Sequence, residues 1–227
     1  MFAQSMRELK KELMEFSSLV EKMVQKTTQG LLRKEKALLI EVIEEDEPRA
    51  NEAEISMDEM CTNLIAQFQP RAKDLRTILM IMKMSNDLER MGDHAVNLSH
   101  AAQYLIERPP VKPWIDVPRM AELTIQMLRD SVTAFIEENA ALANSVCERD
   151  STVDAIRNQL MRELITYMVS DPGTIERSLA LIRVATNLER IADLSTNICE
   201  DVIFMVDGKV IKHHKDEEKE ETGEVES

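Results

Sequence analysis

Two pairs of acids stand four residues apart at matching places in the chain, Glu89 with Asp93 and Glu189 with Asp193. On a helix this spacing puts both carboxylates on one face, about 6 Å from each other. Asn97 and Asn197 continue the two lines. Followed backward at helical steps, the lines pass through Ser85, Met82 and Ile78, and through Ala185, Ile182 and Ser178, so the acids interrupt a partly apolar stripe. Like charges held this close repel, and partial burial raises the cost of ionising both unless a cation or a donor compensates. Asp150 and Asp154 form a third pair, and the corresponding stretch of the first half reads Glu47-Pro-Arg-Ala-Asn51, followed by Glu54. Carboxylates facing one another from two helices suit a hard cation, or iron or manganese. The expectation is one acidic site per half.

A plainer reading stands beside this one. Arg90 and Arg190 precede Asp93 and Asp193 by three residues, the spacing of an ordinary surface ion pair, and Asp150 is placed to cap a helix beginning at Ser151. Ferritin-like di-iron chemistry needs Glu-x-x-His motifs on two helices, and the chain has none. His94 and His100 have no counterparts one repeat later and read as structural or solvent-facing, while His213 and His214 belong to the tail. No nucleophile with a neighbouring base, phosphate loop or dinucleotide turn is present, so nothing points to an enzyme. Met80, Met82, Met84 and Met91 read as core filling.

The elements that must hold these acids are helices. Five Gly and 7 Pro stand against 15 Met and an abundance of Leu, Ile, Glu and Ala, and apolar residues recur at steps of three and four. The first helix spans about 6–28 and loosens at Gly30; the second spans about 34–67, with Pro48 as a kink or a fresh start; the third spans about 73–107. Four prolines within residues 108–118 forbid a continuous helix. Three further helices follow, at about 119–138, 141–169 and 174–206, the last after an Asp171-Pro172-Gly173 turn. Residues 86–97, NDLERMGDHAVN, and 186–197, TNLERIADLSTN, share Leu, Glu, Arg, Asp and Asn at an offset of 100, which marks an internal duplication. The fold class expected is all-α, two tandem three-helix bundles: 1–108, a proline-rich linker at 109–118, 119–211, and a disordered acidic tail at 212–227.

A net charge of -14 argues against nucleic acid and anionic membrane as partners. Cys61, Cys147 and Cys199 are odd in number and widely spaced, so reduced, buried thiols are expected rather than disulfides or a zinc knuckle. No apolar run reaches the roughly 20 residues of a membrane span, and the expected location is the cytoplasm.

Leu-Glu-Arg-Met-Gly-Asp at 88–93 and Leu-Glu-Arg-Ile-Ala-Asp at 188–193 resemble the paired signature of the PhoU family. The resemblance spans about residues 5–208 and takes in Val42-Ile-Glu-Glu-Asp46, the Gln69-Pro70 turn and Asp74-Leu-Arg76. It implies a regulatory protein that works with the ATP-binding subunit of the high-affinity phosphate transporter and with the phosphate-sensing histidine kinase, and it implies a homodimer. Such proteins curb uptake and keep the phosphate regulon off when phosphate is plentiful. Some members bind multinuclear clusters, and the metal expected here is iron, manganese, zinc or magnesium. By resemblance the ligands are Glu89 and Asp93 with Glu47 and Asn51 in the first half, and Glu189 and Asp193 with Asp150 and Asp154 in the second. Asn51 departs from the expected Asp, and a neutral amide is the weaker ligand. A metal store or metal-dependent enzyme of the helical-bundle kind, and a purely structural adaptor with solvated acids, stay open as other classes.

Overall fold

The computed structural model describes residues 1–207, and among these there is no strand. Helix α1, Phe2–Arg33, buries Leu9, Leu13, Phe16, Val20, Met23, Val24 and Leu31 along one stripe. It does not end at Gly30 as the sequence suggests. A Cβ at Gly30 would lie 2.7 Å from Leu39 Cδ2, so this glycine is the place where the next helix presses on α1. The helix closes at Lys34, whose left-handed φ of 58° lets its N–H return to the Gly30 carbonyl.

The second rod of the first bundle is continuous but not uniform: α2, Lys36–Glu41, a π-turn at Val42–Asp46, and α3, Glu47–Phe68. Pro48 lies in the first turn of α3 and has no N–H to return to the carbonyl four residues before it, and the wider turn precedes it. The turn is anchored from α1, where Lys26 Nζ donates to Glu41 at 2.5 Å and to the buried Asp46 at 2.6 Å. Helix α4, Lys73–Ile106, completes the bundle, and a buried hydroxyl pair, Thr27 with Ser99 at 2.6 Å, ties it to α1.

Helix α5, Asp116–Glu137, begins two residues before Pro118, so the end of the proline-rich stretch is already helical, at the first-turn position where a missing N–H costs least. Helix α6, Ala140–Ser170, is capped by the Asn139 side chain, which accepts from Leu142 N. A 3₁₀ turn at Pro172–Thr174 leads into α7, Ile175–Asp207.

These are two tandem three-helix bundles, α1, α2/α3 and α4, then α5, α6 and α7, and their buried side chains form one continuous core. Helices α4 and α7 pack antiparallel along the seam between the bundles, with His94 Nδ1 donating to Asn187 Oδ1 at 3.0 Å. Arg129 on α5 pairs with Glu21 on α1 at 2.7 Å. Met80, Met84 and Met91 are buried, as core filling requires, and the three cysteines are free and buried. No described helix is long and apolar enough to cross a membrane. The tail expected from residue 212 lies outside the described residues.

Candidate functional site

In the second bundle α6 and α7 turn Asp150, Asp154, Glu189 and Asp193 toward a shared, half-buried environment. Burial, then the charges of Asp193 and Asp154, push Asp150 up to about 6. Glu189 is raised by burial and by Asp193, against the pull of Arg190 and Arg157. Asp193 is raised by burial, with Arg190 opposing and Asp154 reinforcing. Arg190 on the outer rim lies 3.1 Å from Asp193 and 3.8 Å from Glu189. That surface pairing does not satisfy the interior: Asp150 Oδ1 and Glu189 Oε2 are buried without a hydrogen-bond partner. Asp150 is no helix cap, because α6 runs unbroken through it from Ala140.

The first bundle departs from its sequence-derived ligand set. Glu89 is raised by burial, then by Asp93 and by Glu54, so the acid that α3 brings to it is Glu54. Glu47 sits at the head of α3 beside the π-turn, and Asn51 and Asp93 are exposed. Glu54 and Glu89 repeat Asp154 and Glu189 at an offset of 100, and the same offset sets Ala50 in the place of Asp150. Ala50 is buried, and it and Met23 both lie against Gly92. Apolar packing thus fills the position that a carboxylate holds in the second bundle. Arg90 pairs with Asp87 at 3.4 Å and not with Asp93, so the plain ion-pair reading holds for the second motif alone.

Among the described residues no three His, Cys, Asp or Glu side chains already stand in a metal-holding arrangement. The second bundle nevertheless gathers oxygen donors only, two of them buried and unsatisfied, with their pKa values raised by burial first and by the neighbouring acids second, which is the donor chemistry that a hard cation takes. The first bundle does not, since Ala50 removes the donor and Asn51 faces solvent.

Two residues outside the expected set are also shaped by this repeat. Asp87 is buried, raised by burial, and leaves Oδ2 without a partner. Its repeat equivalent is Asn187, which does find one in His94. Asp46 closes the resemblance segment 42–46 and is the buried anchor of the π-turn, a role that its run of acids in the sequence does not reveal.

The family model described as "PhoU domain" matches twice, over residues 13–102 and 117–202. A curated relative from Aquifex aeolicus (strain VF5), described as a phosphate-specific transport system accessory protein PhoU homolog, is 39% identical over 95% of this chain and 97% of its own. The crystal structure of PhoU from Pseudomonas aeruginosa aligns with a TM-score of 0.87 at 35% identity, over 92% of this chain and all of that one (100%). That of the phosphate transport system regulatory protein PhoU from Streptococcus pneumoniae aligns with a TM-score of 0.86 at 27% identity, over 94% and 100% of the two chains. With a match in each bundle and a duplicated Leu-Glu-Arg motif inside both, the chain belongs to the PhoU family.

Proposed function

We propose that the chain is a non-enzymatic regulator that restrains high-affinity phosphate uptake and keeps phosphate-starvation signalling off. It acts in the cytoplasm, as a homodimer, through contacts with the ATP-binding subunit of the phosphate transporter and with the phosphate-sensing histidine kinase. The observation that carries this reading is the doubled motif at 88–93 and 188–193, each copy inside a segment that the family model matches. Relatives that cover nearly the whole chain bear the name of accessory protein to phosphate-specific transport. An accessory role asks for surface rather than a reaction centre, and a duplicated helical scaffold supplies much surface on a rigid core.

Metal belongs to the proposal in the second bundle, with Asp150, Asp154, Glu189 and Asp193 as its ligands. A bound divalent cation would offset half of the charge of the four carboxylates and tie α6 to α7. An all-oxygen donor set favours magnesium or manganese over zinc. The regulatory reading is tested by passing the purified ATP-binding subunit over the immobilised full chain. Retention that free chain competes away supports it, and failure to retain the subunit counts directly against it.

A further inference from the structure

Asp150, Asp154 and Arg157 follow one another on α6 at steps of four and three, so the three side chains share one helical face. Helix α7 runs antiparallel to it. Asp150 lies by Asp193 and Thr196, and Arg157, two turns further along α6, lies by Glu189 and Asp193, whose acids its charge pulls down against the burial that raises them. Among the described residues the guanidinium nevertheless makes no ion pair with either. Its Nη1 donates to the neighbouring Asn158 Oδ1 at 3.0 Å, and the ion pairs with Glu189 and Asp193 belong to the exposed Arg190. Arg157 Nε is buried without a hydrogen-bond partner, and so is Glu189 Oε2. A donor and an acceptor of opposite charge, both buried and both unsatisfied at the same end of one site, cost free energy for as long as they stay apart.

The first bundle lacks this arrangement. At the offset of 100, Ala50 stands in the place of Asp150 and Met57 in the place of Arg157, and both are buried in the core. Glu89, the repeat of Glu189, is pulled down by Arg90 alone, where Glu189 feels Arg190 and Arg157. The further carboxylate and the inner arginine are present together in one bundle and absent together from the other.

We infer that Arg157 is the internal counter-ion of the second-bundle acids and governs cation uptake there, competing with a divalent cation for Glu189 and Asp193. With the guanidinium turned aside onto Asn158 the carboxylates are open to a metal, and with it turned onto Glu189 they are closed. Four carboxylates against the guanidiniums of Arg157 and Arg190 leave two negative charges, which one divalent cation offsets, so the site loads a single cation. The inference rests on the metal reading above and adds the residue that limits it.

Calorimetric titration of manganese(II) into the full, metal-free chain at about pH 7.5 tests it, with variants whose helicity and melting midpoint are read first. The parent is expected to take up one manganese per chain. Arg157→Met, which installs the side chain found at position 57, binds it about tenfold more tightly or better, and Arg157→Lys, which keeps the charge, stays within about threefold of the parent. Arg157→Gln carries the same comparison if Arg157→Met does not fold. Affinity in the uncharged variant equal to or below that of a binding parent overturns the counter-ion and leaves the metal reading standing. A gain in Arg157→Lys as large as in Arg157→Met assigns the effect to space rather than charge and overturns it as well. No uptake by the parent or by the uncharged variant overturns the metal reading and the inference with it, as does binding that survives Asp150→Asn/Glu189→Gln.

Discussion

Asn187 and Asp87 occupy equivalent places in α7 and α4, yet the amide oxygen has a partner in His94 while Asp87 is met by Arg90 at Oδ1 alone and leaves Oδ2 buried without one. Residue 194, which repeats His94, is leucine, and burial lifts the Asp87 pKa against the pull of Arg90 and Lys83. An acid raised in the folded state contributes its stability below its unfolded pKa, ~3.9, and loses it as pH climbs through the higher folded value. Asp87→Asn should therefore gain about 1 kcal/mol over the parent at neutral pH and almost nothing at about pH 4, read from urea midpoints at each pH. A gain of the same size at both pH values would count against a charged, unsatisfied Asp87. The second-bundle acids make a separate prediction. Millimolar manganese should raise the parent's melting midpoint by about 3 °C or more, leave Asp150→Asn/Glu189→Gln unmoved, and still raise Glu54→Gln/Glu89→Gln. The converse pattern would place the metal in the first bundle. The acid pairs along α4 and α7 were legible because spacing within one helix fixes a face. Glu54 was not, because the register across a helical hairpin is set by its turn and packing. The two hairpin turns repeat at an offset of 102, whereas the motif repeats at 100.

Among the elements, the π-turn between α2 and α3 depends most on a single side chain. Lys26 reaches it from α1 and is the nearer cation to Asp46, whose side chain is 2% exposed and whose other oxygen has only the exposed Arg49 at 3.4 Å. Removing one partner of a buried pair strands the other charge. Lys26→Met should cost about 3 kcal/mol in chemical unfolding, and Lys26→Met/Asp46→Leu should recover most of it. Equal loss in both variants would show that the turn is held by packing rather than by this pair. Several helix ends followed from Pro positions to within a few residues, since Pro48, Pro70 and Pro118 act through local sterics, whereas the Asn139 cap of α6 emerged only with the structure. Gly30 misled for the opposite reason: its cause is the approach of Leu39, a tertiary contact invisible to local pattern. Nor does the sequence announce a π-turn, because Val42–Asp46 has the composition of ordinary helix and the extra residue is accommodated only against Lys26.

At the scale of the whole molecule, duplication made the two-bundle architecture readable from the offset of 100, and the family match follows both halves. How the halves meet was not readable. The seam pairs α4 with α7 through residues whose helical faces are individually unremarkable, and only their packing opens a cleft at each end of it. The most direct measurement is the initial rate of labelled phosphate uptake, with a phosphate-starvation reporter, in phosphate-replete cells with and without the gene for this chain. Loss of the chain should raise both several-fold, and a plasmid copy should restore both. Uptake and reporter that stay at the parental level without the chain would contradict a role in restraining phosphate transport.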